Sequence, residues 1–424
     1  MAEHTHHHPK PTDDPSFHLP GALAGLAKPL AVAGGAMLLA GFFGGSLMIQ
    51  GESSQRWGFT MSAYLVALIY CFSISLGCLF FVLIQHLCRA GWSVVVRRIA
   101  EIFMIAIPAL GLLFLPIVLA AWSPSGVLYP WSNAGWGESH GVPAETWESK
   151  IRYLNSGWFT VRSLIYLALL SSLAIFYFRS SRSQDESGDV GLTEKMQARS
   201  GPAVIIFALV TSFAAFDWLM SLAPMWFSTM FGVYFFAGSI LSAHAAIAAT
   251  TYLLQSKGAI RDEVTVEHYH DLGKLMFGFV TFWTYIAFSQ FVLIWYANIP
   301  EETEWFYTRL KGSWEPLSYA LIFFHWLFPF LGLLSRHIRR RPQLVFAWAI
   351  YLLVVHFVEI YWIVMPQSSL TFGGAGGVVT SLLMGLGMVG LYLGGLLWFT
   401  RCKQVKVLAV RDPRLPESLA FENI

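Results

Sequence analysis

Apolar residues run along this chain in ten long blocks separated by short polar stretches, and each block has the length of a membrane-crossing helix. A helix rises about 1.5 Å per residue, so roughly 20 mostly apolar residues cross the hydrocarbon core. The blocks lie near 28–50, 60–88, 99–122, 157–179, 201–222, 226–254, 273–298, 315–335, 342–364 and 376–400. They are continuously apolar, without the period-two alternation of a barrel strand. A spanning helix also satisfies its own backbone hydrogen bonds, which lipid cannot do. The pattern predicts an all-α integral membrane protein with about ten transmembrane helices.

Composition supports the same reading. Of the 424 residues, 56% are hydrophobic and only 12% charged, against roughly 25% charged in soluble domains. So little charge cannot clothe a soluble surface, and the bilayer is the expected surrounding. The net charge of +2, without a long basic run, gives no sign of a nucleic-acid partner.

The distribution of Lys and Arg predicts the orientation. One side collects the N-terminal segment, the loop with Arg89, Arg97 and Arg98, and the 180–200 linker. It also collects the loop with Lys257 and Arg261, Lys274, the Arg336–Arg341 cluster and the C-terminal segment, together 21 of the 27 basic residues. The positive-inside rule then places both termini in the cytoplasm of a cell with an inner membrane. Residues 1–27 read as a disordered tail carrying His4 and His6 to His8, 28–400 as the transmembrane domain, and 401–424 as a cytoplasmic tail. The first 20 residues lack the apolar core of a signal peptide. On the opposite side, Trp122, Tyr129, Trp131, Trp136, Trp147 and Trp158 crowd one loop, and Trp295, Trp305 and Trp314 bracket another. Such rings suit either headgroup anchoring or docking of a partner.

Four cysteines (Cys71, Cys78, Cys88, Cys402) show no CxxC, haem-attachment or iron–sulfur spacing. Neither a metal site nor a catalytic nucleophile is expected. Chemistry must come from polar groups inside the spans, which are costly there and tend to be functional. Asp217 falls near the outer end of the fifth span, His244 near the middle of the sixth beside Ser239 and Ser242, and His325 near the middle of the eighth. His356 and Glu359 in the ninth are three apart and share a helix face. Glu101 and His86 lie towards the cytoplasmic ends of the third and second spans. In the seventh, Lys274, Thr281, Tyr285, Ser289 and Tyr296 form a stripe that must pack against protein or internal water. Titratable groups at several depths are what a proton path requires. The competing readings are interhelical hydrogen bonding and, for His244, His325 and His356, bis-His haem ligation.

The segment Phe213 to Tyr234, FAAFDWLMSLAPMWFSTMFGVY, resembles the ActF subunits of bacterial alternative complex III. The stretch His270-Asp271-Leu-Gly-Lys274-Leu-Met-Phe, with Ser289-Gln290 and the run from Trp295 to Glu304, is similar to ActF and its paralogue ActC, members of the NrfD/PsrC-like family. Ala223-Pro-Met225 departs from the acidic turn of that pattern. The resemblance implies two four-helix bundles, spans two to five and six to nine, flanked by the first and last helices. It further implies a membrane subunit of a menaquinol-oxidising electron-transfer complex, conducting protons and binding no redox centre itself. Partner subunits, among them an ActC-like paralogue, would hold haem c and iron–sulfur clusters and pass electrons to a cytochrome c or another periplasmic acceptor. An autonomous ion-coupled transporter and a purely structural anchor remain as alternatives.

Overall fold

The computed structural model describes residues 10–368, 370 and 372–423. Among them, ten helices are long and apolar enough to cross a membrane, and no strand occurs. They are α1 (Gly21–Met48), α2 (Ser53–Leu87), α3 (Val94–Ala121), α4 (Ser156–Ser187) and α5 (Val190–Trp218). The second set is α6 (Phe231–Ser256), α7 (Val266–Ala297), α8 (Gly312–Leu334), α9 (Pro342–Val364) and α10 (Gly374–Cys402). The protein is an all-α, multi-pass membrane protein.

Helices α2 to α5 pack as one bundle and α6 to α9 as another, joined chiefly where α2 crosses α6. These two helices are buried along most of their length. Helices α1 and α10 lie along each other and against α2. Their close approach depends on glycine: a Cβ on Gly34 would stand 2.3 Å from the Leu391 nitrogen, and one on Gly394 2.4 Å from that of Ala31.

Prolines shape two of the spans. Helix α3 is divided into Val94–Met104, Ile107–Leu113 and Leu115–Ala121, with Pro108 and Pro116 at the two joints. Helix α8 contains a π-helical turn, Ile322–Leu327. Pro329 has no N–H to offer the His325 carbonyl four residues back, and its ring crowds that oxygen, so the helix widens there.

Two sequence expectations need correction. The expected 180–200 linker is helical: α4 and α5 continue past the apolar blocks and meet at a tight turn on Gly188, whose φ of +71° suits a residue without Cβ. Residues 10–27, expected as part of a disordered tail, are folded onto the bundle. Phe17 is buried, its carbonyl accepts from the Val407 N–H at 2.7 Å, and Lys10 pairs with Asp262 at 2.8 Å and Glu263 at 2.9 Å. The His4 and His6 to His8 cluster lies outside the described residues. Lys406 also reaches Asp13 at 3.1 Å, so both terminal segments meet at one end of the bundles. That end is the terminal face below, and its opposite the far face.

Candidate functional site

Most titratable groups inside the spans fall into two clusters, one in each bundle, with very different partners. In the first bundle Asp217, fully buried on α5, meets Arg162 of α4 through two bonds of 2.8 Å, and Tyr166 donates its hydroxyl to the same carboxylate at 2.8 Å. The guanidinium lies 3.8 Å from the centre of the Tyr153 ring. A bidentate pair with a permanently charged partner holds the carboxylate ionised.

The second bundle is built otherwise. Glu359 and His356 stand one turn apart on α9, and the Glu359 Oε2 lies 2.8 Å from His356 Nδ1. The π turn of α8 brings in His325, with its Nδ1 3.7 Å from the same oxygen and its ring stacked at 3.9 Å on Trp283 of α7. The Trp283 indole N–H donates to the other carboxylate oxygen at 2.5 Å. All four side chains are at most 5% exposed. Helix α6 contributes Tyr234 beside the carboxylate and makes room for it at Gly238. A Cβ on Gly238 would stand 3.0 Å from Oε2 and 3.1 Å from the His356 ring.

From α2, Ser73 completes the cluster. Its Oγ is 2.8 Å from His356 Nε2 and 2.8 Å from the Tyr70 carbonyl. This permits two complete hydrogen-bond patterns. In one, Ser73 donates to His356 Nε2, and Nδ1–H donates to an ionised Glu359. In the other, Ser73 turns to the Tyr70 carbonyl, Nε2–H donates to Ser73, and one extra proton lies between Nδ1 and Oε2. Rotating one hydroxyl therefore accommodates exactly one more proton, with every bond in the row kept.

The structure brings together three of the expected residues, His325, His356 and Glu359, and leaves the others apart. His244 is buried on α6, its Nδ1 2.7 Å from the Ile240 carbonyl and its ring stacked on Phe279 at 5.1 Å. It stands six residues from Gly238, about 9 Å along the axis towards the terminal face. Lys274 pairs with Asp271 and donates to Asn423 at 2.7 Å. It lies nine residues before Trp283, about 14 Å along α7. Glu101 belongs to a buried network at the terminal face with Arg97 and Arg98, which pair in turn with Asp412 at 2.5 Å and Asp185 at 2.7 Å. His86 is buried nearby, against the Tyr177 ring.

Tyr285 requires a correction. The stripe on α7 was expected to face protein or internal water, yet Tyr285 is 65% and Tyr296 85% exposed. Two residues turn a helix by about 200°, so Trp283, not Tyr285, faces the interior. The far-face aromatics also divide. Tyr129, Trp131, Trp147, Trp305 and Trp314 are buried in the chain's own loops, whereas Trp122, Trp158 and Trp295 are exposed.

Compared with protein families and with curated proteins, the chain matches no family model and no curated sequence. The geometry must carry the argument alone. No group of three or more His, Cys, Asp or Glu side chains among the described residues is arranged to hold a metal ion. The residues that sequence reasoning missed are Ser73, Trp283, Tyr234 and Gly238, each of an ordinary type for a packed span. A further one, Arg309, was counted with the far-face loop. It is fully buried in the short helix Pro300–Leu310.

Proposed function

We propose that this chain is a proton-conducting membrane subunit, with Glu359, His356 and His325 as its proton-loading site. The observation that carries this reading is the row Tyr70–Ser73–His356–Glu359, which takes up or releases one proton by turning a single hydroxyl. A carboxylate inside a span costs a few kcal/mol even on the mildest insertion scale. Placing it between two imidazoles, whose ordinary pKa is about 6.5, provides partners that exchange protons near neutrality. The path to the terminal face would run past His244 towards Lys274 and Asp271.

The resemblance to alternative complex III subunits supports the wider setting. In that setting the chain sits in a bacterial inner membrane with its termini in the cytoplasm. It is part of a complex whose other subunits carry haem c and iron–sulfur clusters and oxidise menaquinol. This chain would then couple proton movement to electron transfer without binding a redox centre.

The test is Glu359→Gln in the intact complex, reconstituted into vesicles. Quinol oxidation and haem content should persist, while proton release per electron falls to the value set by quinol oxidation alone. Full proton stoichiometry in this variant would make the chain a structural anchor.

A further inference from the structure

The fully buried Arg309 has no carboxylate within salt-bridge distance among the described residues. Its guanidinium instead donates to three carbonyls: Trp305 of its own helix at 2.9 Å, and Trp362 and Ile363 of α9 at 3.2 and 2.7 Å. It also lies 3.5 Å over the Trp305 ring and 5.2 Å from that of Trp362. Trp362 and Ile363 belong to the last turn of α9, whose carbonyls lack helical N–H partners and form the negative end of the helix dipole. This explains how the cation is tolerated there. It does not explain why a charge is used, since desolvating a guanidinium costs several kcal/mol.

Glu359 supplies a reason. Ile363 is four residues beyond it on α9, so the guanidinium is held about 6 Å further along the axis, towards the far face. Tyr234 has both Glu359 and Arg309 as its charged neighbours, and its ring packs on Trp283 at 5.8 Å. The groups facing Glu359 are otherwise neutral or titratable: His356 from α9, His325 from α8, Trp283 from α7 and Tyr234 from α6. Arg309 is the one permanent charge beside this group.

Resting on the proton-loading reading above, we infer that Arg309 is a positioning residue that sets the charge state of Glu359. Its fixed positive charge favours the ionised carboxylate after each proton departs. It also opposes return of a proton from the far face, because that route passes the guanidinium. For unit charges roughly 6–9 Å apart at an effective dielectric of about 20, the influence on a carboxylate is about one to two pH units.

The test follows the protonated-carboxyl infrared band of Glu359, assigned by its loss in Glu359→Gln, as pH is varied on the full chain in lipid. Arg309→Met should move the midpoint upward by about one to two pH units. Arg309→Lys, which keeps the charge, should leave it close to the wild type. Should the Met variant not fold, Arg309→Gln keeps hydrogen bonds to the carbonyls, removes the charge and carries the same expectation. An unmoved midpoint in a folded, uncharged variant overturns the inference, as does an equal shift in the Lys variant. If the wild-type band does not titrate at all, the proton-loading reading itself falls, and this inference with it.

Discussion

Replacing a buried carboxylate by its amide should have opposite consequences in the two bundles, and Asp217→Asn is the sharper test. Asp217 accepts two guanidinium bonds from Arg162 and one from Tyr166, all at 2.8 Å. Asparagine keeps the shape and one accepting oxygen, but it turns an NH2 towards a guanidinium that can only donate. Removing one partner of a fully buried pair costs about 3–5 kcal/mol. Arg162 retains 17% of its side-chain exposure and its stack on Tyr153, so part of its charge remains solvated. The loss should therefore lie below that range, at about 2–3 kcal/mol. Unfolding of the full chain in mixed micelles, followed by tryptophan fluorescence, measures it. The paired variant Arg162→Leu with Asp217→Leu should recover most of the loss, because apolar replacement of a buried ion pair is often neutral. The recovered variant should also retain proton release in the complex. If Asp217→Asn keeps wild-type stability yet abolishes proton release, Asp217 is a proton carrier and the contrast drawn here is wrong.

Two further outcomes are expected. Ser73→Ala should leave the fold intact but strand His356 Nε2–H in the proton-loaded pattern, at about 1–3 kcal/mol for the orphaned donor. The loaded population should then fall by about tenfold, read as a weaker Glu359–His356 infrared titration, and an unchanged titration would remove Ser73 from the site. Cysteines placed in the Gly188 turn should be protected from an impermeant thiol reagent in intact cells, whereas those at 301–308 should react; the reverse pattern would invert the orientation.

The sequence revealed the spans because each is a continuous apolar block, and hydropathy needs no knowledge of packing. His356 and Glu359 were readable as a pair for a similar reason, since a spacing of three fixes a shared face without reference to any neighbour. Tyr285 shows the limit. Periodicity states which residues lie on one face of α7, but the packing of α6, α8 and α9 decides which face turns inward. The same limit hid Ser73 and Trp283, whose partners lie 283 and 76 residues away in the chain. Arg309 was misplaced for another reason: the far-face segment folds back as a short helix under the end of α9. The π turn at His325 did leave a local trace in Pro329, four residues on, the spacing at which proline disturbs a carbonyl.

Both bundles bury a carboxylate, and the identity of the partner separates their chemistry. A guanidinium does not give up its proton under any condition a cell provides, so the Arg162–Asp217 pair has one protonation state and acts as a clamp between α4 and α5. An imidazole can hold its proton on either nitrogen, on both, or between itself and a carboxylate. Glu359 is given two imidazoles and a serine that can turn, and its permanent cation is set back by a helical turn and engaged with carbonyls. Bringing Arg309 into direct contact would lock this site as Asp217 is locked. Removing it would leave the carboxylate to keep its proton. The intermediate distance suits a group that must both accept and release.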